Sequence, residues 1–295
     1  MGALDGKVIV VTGAGQGIGR EEALAVAGEG ASVVVDDLRS AEAVAAEIRA
    51  GGGQAVATDL DVADFDAAGR LVALAVGQFG GLDGLVNNAG VVRDRMVFNL
   101  GPDEFDLVVR VNLGATFATT RHAAAWWKRE GRPGAIVNTT STSGLLGNLG
   151  QSNYGAAKAG VAAFTTITAL ELARYGIRVN AIAPGARTQM TEGAFGDLSF
   201  EGDFDPLDPA NVAPVVTWLL SDAAAEVSGQ VVGITGGLVE LYEGWHVVAK
   251  QETAGRWTVD GLAEAAPRLF GDRPTRAPWR RSSLRGVIEQ ARGKA

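Results

Sequence analysis

The chain contains no cysteine in its 295 residues. That excludes disulfides, thiolate nucleophiles and thiolate-ligated zinc, and it leaves the redox compartment open. Histidine is almost absent too: only His122 and His246 occur, and they read as a helix-surface and a tail residue rather than as catalysts. A metal site is therefore not expected. A surplus of positive charge is also missing. The formal charge of −8 argues against a general nucleic-acid binder, which must neutralise phosphates. No apolar run approaches the roughly 20 residues of a spanning helix. The start "MGALDGKVIVVTG" lacks the basic region and cleavage site of a signal peptide. The expectation is a cytoplasmic protein without membrane insertion. Proline is sparse and glycine abundant, at 9 and 41 residues, which suggests tight turns and close backbone approaches rather than disorder.

What is present is a repeating alternation. "KVIVVTG", "SVVVDD", "QAVATDLDV", "DGLVNNAG", "GAIVNTTS", "IRVNAIAPG" and "QVVGITGG" are short apolar runs of the kind buried on both faces of a parallel sheet. Helical spacing fills the intervals: Gly19 to Ala27, Ala41 to Ala50, Phe65 to Phe79, Glu104 to Lys128, Tyr154 to Arg174 and Val212 to Leu220. The expected fold is α/β, a single doubly wound Rossmann domain with a parallel sheet over residues 1–240. Two segments interrupt the pattern. Thr191 to Ala210 is acidic and rich in Gly, Phe and Pro, and a connection of that length reads as a lid. Residues 241–295 form a C-terminal extension that carries Trp245, Trp257 and Trp279. It is expected to pack on the domain or on a partner subunit. From Arg268 onward it is basic, with seven Arg and one Lys against Asp272 and Glu289.

"TGAGQGIGR" follows the first strand and opens the first helix. Gly13, Gly17 and Gly19 fit G-x-x-x-G-x-G, with Ile18 where the commoner G-x-G-x-x-G has its last glycine. Backbone without side chains can approach a pyrophosphate there, and a helix N-terminus stabilises its charge. Asp37 lies about 20 residues further on, where a carboxylate binds ribose hydroxyls and repels a 2′-phosphate. Gln16, before Gly17, is not a basic residue that would attract that phosphate. NAD is favoured over NADP, and Arg39 keeps the alternative open. Asp36 reads as a solvated strand end.

"NYGAAKAG" places Tyr154 and Lys158 four residues apart, on one face of a helix. A tyrosine normally keeps its proton to about pH 10, and a cation one turn away favours the phenolate. Ser141 in "NTTSTSG" can bond the same substrate oxygen. Asn112 in "VNLG" is a polar side chain amid apolar neighbours in a long helix. Singly, these are a turn former, a satisfied amide and a solvated lysine. Together they make a site.

Those residues resemble the short-chain dehydrogenase/reductase family of the Tyr-x-x-x-Lys type, from Leu4 to about Leu238. The resemblance implies a cofactor loop at "TGAGQGIG", an adenine-site pair at Asp61 and Val62, and a strand-closing motif at "NNAG", which contains Asn88, Ala89 and Gly90. Pro184 and Gly185 match its P-G turn, and Thr188, one residue earlier than in many members, matches the threonine near the nicotinamide carboxamide. Asn112, Ser141, Tyr154 and Lys158 match its catalytic tetrad. Tyr154 then acts as acid or base, Ser141 holds the substrate oxygen, Lys158 lowers the tyrosine pKa and holds the nicotinamide ribose, and Asn112 positions a water. "GVVRDRMVFNL" and "GLLGNLGQSNYGAAKAG" are similar to (3R)-hydroxyacyl-CoA dehydrogenase units of type 2 multifunctional enzymes. That implies a 3-hydroxyacyl thioester or a steroid-like substrate. A small alcohol or sugar dehydrogenase is the alternative, and a non-catalytic NAD-binding sensor is disfavoured by the complete tetrad. The family also implies a homodimer or homotetramer built through the helices carrying Asn112 and Tyr154.

Overall fold

The computed structural model describes residues 2–190, 200 and 204–273. A sheet of eight strands runs in the order β3-β2-β1-β4-β5-β6-β7-β8. The strands are β1 (Val8–Thr12), β2 (Ser32–Asp36), β3 (Gln54–Thr58), β4 (Gly84–Asn87), β5 (Gly134–Thr139), β6 (Ile177–Gly185), β7 (Val231–Thr235) and β8 (Leu238–Tyr242). All pairings are parallel except β7 with β8. The crossover helices are α1 (Gly17–Gly28), α2 (Ala41–Ala50), α3 (Phe65–Phe79), α4 (Pro102–Val109), α5 (Ala115–Glu130), α6 (Thr142–Leu146), α7 (Ser152–Leu172) and α8 (Ala213–Leu220).

Strand alternation explains the two cores. Ile9, Val11, Val33 and Val35 join a cluster with residues of α1, α2 and α8. Val8, Val10 and Val34 face the other way, into a cluster with residues of α3 and α5. β1 and β2 are thus apolar on both faces, which is why these runs read as continuous rather than alternating. Burying each such side chain contributes about 1.5–3 kcal/mol. A polar strut crosses the second core. Asn87 donates to Asn138 (2.9 Å) and Thr120 (3.1 Å), accepts from Thr119 (2.6 Å), and Asn138 donates to Thr165 (2.9 Å). It fixes α5 and α7 over β4 and β5, and α7 carries Tyr154 and Lys158.

Three sequence expectations change. β8 was not anticipated. Val231–Thr235 and Leu238–Tyr242 form a hairpin across Gly236-Gly237, and a Gly-Gly pair between apolar runs is its signal. The expected boundary at 240 falls inside β8, and a second unit begins at Glu243. The helix expected over Glu104 to Lys128 is α4 and α5 joined by a π-helical turn, Arg110–Gly114. Finally, Ser152–Tyr175 is long and apolar enough by length and composition to span a membrane. It carries the buried Asn153 and Lys158 and packs on β6 and α6, as a core helix does.

The second unit contains α9 (Val259–Phe270), capped by Thr258, whose side chain accepts from Gly261 N. Trp245 is fully exposed and Trp257 half-buried. Trp279, most of the basic residues of the tail, and most of the expected lid lie outside the described residues.

Glu22 on α1 is fully buried with neither carboxylate oxygen bonded, and burial pushes its pKa up to about 8. Its folded pKa lies above the unfolded value near 4.5, so stability falls as pH rises from about 4.5 to 8. Glu22→Leu is expected to raise Tm at pH 8 and to flatten this slope, measured by thermal melts across pH. An unchanged slope would show that the carboxyl finds a partner in solution.

Candidate active site

The order of the strands reverses between β1 and β4, and the crevice at the carboxyl ends there is where a doubly wound sheet receives a ligand. The β1–α1 turn is shaped by glycines that no other residue can replace. Gly13 and Gly17 have φ of +62° and +54°, the left-handed region. A Cβ on Gly19 would stand 2.3 Å from Gly13 O, and one on Gly15 2.6 Å from the Asp37 carboxyl carbon. Gln16 caps α1 without a side-chain hydrogen bond, leaving first-turn amides to face a ligand. Asn88 donates to Thr12 O (3.1 Å) and Gly13 O (3.0 Å). Asn88 and Ala89 also donate their amides to Thr12 Oγ1, so the end of β4 locks the loop.

Asp37 follows β2. Gly15 N donates to its Oδ2 (3.2 Å), and Arg39 N and Ser40 N donate to its Oδ1 (2.9 and 3.2 Å). Backbone alone therefore orients this carboxylate beside the glycine turn. Gly15 is the partner that the glycine pattern did not single out. Its signal was its place between Gly13 and Gly17. Asp36, expected at a solvated strand end, is instead buried, and its Oδ1 has no partner. Burial first, then the charges of Asp37, Asp59 and Asp61, push its pKa up to about 8, against a bond from the Leu60 amide. Strand alternation is the reason: Asp36 shares the inward face of Val34. Asp61 is exposed and accepts from Ala63 N (3.0 Å), whereas Val62 is buried. Pro184 and Gly185 close β6, and the Thr188 methyl lies at Gly17, 3.3 Å from where a Cβ would stand.

The reacting groups come from three further elements. Ser141 caps α6, its Oγ accepting from Ser143 N (3.2 Å). Tyr154 stands in the first turn of α7, with its hydroxyl near the Ser141 side chain. Burial raises the Tyr154 pKa to about 12; Ser141 opposes this, and the Asp94 charge adds to it. Lys158 is buried one turn later, with Nζ donating to Thr139 O (2.7 Å) and lying 5.6 Å from the Tyr154 ring centre. Burial lowers its pKa to about 7. The resemblance implied a tyrosine pKa depressed by the lysine. In this structure desolvation dominates instead, raising the tyrosine and lowering the lysine.

Asn112 occupies the π turn, where a widened helical turn re-aims a side chain. Its Nδ2 donates to Val91 O (2.8 Å) and Val108 O (2.9 Å). Its buried Oδ1 has no protein partner. A Cβ on Gly90 would lie 2.7 Å from that oxygen and 3.7 Å from Lys158 Nζ. Gly90 is thus the gap through which Asn112 and Lys158 approach each other.

A second set of residues was not anticipated. Asn153, fully buried, donates to Arg93 O (2.8 Å) and accepts from Tyr154 N (2.7 Å). Gln151 donates to Asp94 (2.8 Å) and accepts from Ser143 (2.6 Å) and Asn148 (3.0 Å). Arg95 N donates to Gly150 O (2.8 Å). The segment after β4 is thereby stitched to the start of the tyrosine helix. The only signal in the sequence was that amide side chains precede Tyr154.

Among the described residues no group of His, Asp and Glu could hold a metal ion. His122 instead bonds Phe65 O (3.0 Å) and packs at a tilt against the Phe65 ring, and His246 is exposed.

A family model described as short chain dehydrogenase matches residues 7–198. The chain belongs to the short-chain dehydrogenase family. It is 46% identical over 277 residues to hydroxyacyl-CoA dehydrogenase ChsB1 of Mycobacterium tuberculosis, covering 88% of this chain and 85% of that protein. It is 41% identical to a 3-oxoacyl-[acyl-carrier-protein] reductase of Synechocystis, with 81% and 99% covered. It is 40% identical to the mouse peroxisomal multifunctional enzyme type 2, of which it spans only 32%. A short chain dehydrogenase from Mycobacterium avium has a solved structure that superposes with a TM-score of 0.86 at 46% identity, covering 94% of this chain and 99% of that one. This short-chain dehydrogenase is an oxidoreductase acting on CH–OH groups with a nicotinamide cofactor. Its residues fit such a dinucleotide: a helix end without a side-chain cap, glycines with no room for a Cβ, an oriented Asp37, and an unpartnered Asn112 oxygen beside Lys158.

Proposed function

We propose that this short-chain dehydrogenase interconverts a 3-hydroxyacyl thioester and its 3-oxo form with NAD. The 46% identity to a hydroxyacyl-CoA dehydrogenase over most of both chains carries the substrate reading. The Ser141–Tyr154–Lys158 geometry carries the chemistry. Bound nicotinamide supplies a hydride acceptor or donor. The chain's own residues move the proton. In oxidation Tyr154 first gives up its own proton outward by way of Lys158, and the phenolate then takes the proton of the substrate hydroxyl while Ser141 donates to the same oxygen. As the phenolate forms, Lys158 gains an anionic neighbour, so the tyrosine pKa falls and the lysine pKa rises. Lys158 spends one donor on Thr139 O and keeps two for the tyrosine and a ribose hydroxyl. Asn112 Oδ1 accepts a water that links Lys158 outward. Reduction reverses the steps.

Asp37 supports NAD, because its carboxylate, fixed by three amides, repels a 2′-phosphate. Asp37→Ala is expected to weaken NAD roughly 10- to 100-fold, from the loss of a hydrogen bond to a charged group of about 1.5–3 kcal/mol, and to narrow the gap to NADP. Steady-state kinetics with both cofactors on a 3-hydroxyacyl-CoA checks this. A wild-type preference for NADP would overturn the cofactor reading.

The likeness to a 3-oxoacyl-[acyl-carrier-protein] reductase supports a second reading, reduction on a carrier protein. Comparing the same acyl group on CoA and on carrier protein separates the two. At the rim Arg93 is exposed and its Nη1 meets a backbone carbonyl, Val92 O, whereas Arg95 pairs with Glu104 (3.4 Å). Arg93 is thus the better placed to meet a phosphate of the CoA carrier. Exposed Phe117, Ile167 and Leu170 on α5 and α7 support a homo-oligomer through those helices.

A further inference from the structure

Three consecutive apolar residues, Met96, Val97 and Phe98, stand in solvent directly after the segment stitched to the tyrosine helix. Val97 and Phe98 are 70% and 76% exposed, and Leu149, on the other side of the stitch, is 62% exposed. The chain holds these positions firmly. Arg95 pairs with Gln151 in a parallel bridge, Arg95 N bonds Gly150 O, and Gly150 adopts φ +76°, which other residues resist. Asn99 N closes a turn onto Met96 O (2.8 Å). Met96 therefore follows, and Leu149 precedes, the two residues joined by one backbone hydrogen bond. Asn153 sits between that junction and Tyr154. Apolar side chains this exposed cost hydration unless something covers them, and ordered backbone beneath them keeps their positions fixed for an occupant.

We propose that Met96, Val97, Phe98 and Leu149 form an apolar lip that receives the hydrocarbon body of the acyl substrate, beyond the carbon bearing the hydroxyl, and sets a preference for long or bulky acyl groups. The argument for this occupant is continuity. The lip is fastened through Asn153 and Gln151 to the residue that touches the reacting oxygen. This rests on the proposed acyl thioester chemistry and adds which residues select within that class.

The test has two arms on the full-length protein. In the first, titration calorimetry in the presence of NAD compares decanoyl-CoA with acetyl-CoA. Wild type is expected to bind the long chain at least about tenfold tighter, from several buried methylenes at about 0.8 kcal/mol each. Phe98→Ser and Leu149→Ser, both exposed and so tolerated by the fold, are expected to reduce that ratio at least threefold. In the second, KM for 3-hydroxydecanoyl-CoA rises in both variants while KM for 3-hydroxybutyryl-CoA and both kcat values hold. Equal binding of the two chains by wild type overturns the lip, as does a variant that leaves the ratio unchanged. A variant that changes only the oligomeric state in sedimentation also overturns it and makes the patch a subunit contact. Chain-length discrimination in binding without turnover of any thioester leaves the lip standing and overturns the proposed reaction instead.

Discussion

Replacing Tyr154 with phenylalanine is expected to lower turnover at least about 100-fold, the range assigned to general acid–base catalysis. The ring remains to fill its half-buried place, so Tm and cofactor affinity should change little. What disappears is the hydroxyl that stands near Ser141. The pH dependence sharpens the test. With its pKa raised to about 12 by burial, the hydroxyl holds its proton at neutrality in this state. That suits the acid of ketone reduction directly. Alcohol oxidation needs the deprotonated form, so its kcat/KM should climb with pH while reduction stays flatter. Tyr154→Phe should abolish that climb. Profiles in both directions decide the matter, and a variant that keeps wild-type turnover would remove Tyr154 from the chemistry.

Lys158→Met should separate activity from stability. Turnover is expected to fall at least about 100-fold, and NAD should bind more weakly, because the charge near the phenol and the donor toward ribose both go. Stability should move the other way. Lys158 is buried against a backbone carbonyl, and burial lowers its pKa to about 7 from the ordinary lysine value of 10.5. Between those values the unfolded chain binds a proton that the folded chain does not, so wild-type stability rises with pH across about 7 to 10.5. Below about 7 the fold carries the full cost of a buried ammonium. Methionine removes that cost, so the variant should melt higher at pH 7 and lack this rise. Thermal melts of the cofactor-free protein from pH 6 to 10 provide the measurement. A variant that is both inactive and less stable would mean that the ammonium is better solvated than its burial shows.

The site's unmet polar groups have a common logic. Lys158, the Asn112 oxygen and Asp36 are each buried without full hydrogen bonding. Such groups cost stability unless something completes them. Two of the three, Lys158 and the Asn112 oxygen, meet around Gly90, where a bound cofactor would supply missing partners.

Much was legible before any fold was known, and the reason is periodicity. Continuous β-branched runs such as Val8–Thr12 and Ser32–Asp36 can bury both faces only in a parallel sheet. A glycine turn between strand and helix, a carboxylate at the next strand end, and Tyr and Lys four apart are all local patterns. Local patterns survive in a linear string. The family follows from their order along the chain, since each motif sits at the end of a named strand.

What the sequence did not determine depends on residues that are distant in the chain. Whether Asp36 or Asp37 faces solvent turns on strand twist and register, and the buried one lies next to the useful one. The π turn at Arg110–Gly114 leaves no periodic mark, because one widened turn is lost within a long helical pattern. Desolvation decides the balance between Tyr154 and Lys158, and it is set by how closely β5, α6 and α7 pack. Spacing alone placed the cation near the phenol, but only packing showed that burial opposes ionisation of both until an anion or a ligand arrives. The stitch from Arg93–Arg95 to Gly150–Asn153 joins segments about 57 residues apart. It exists only because β4 and β5 are neighbours in the sheet and deliver their loops to the same edge of the crevice.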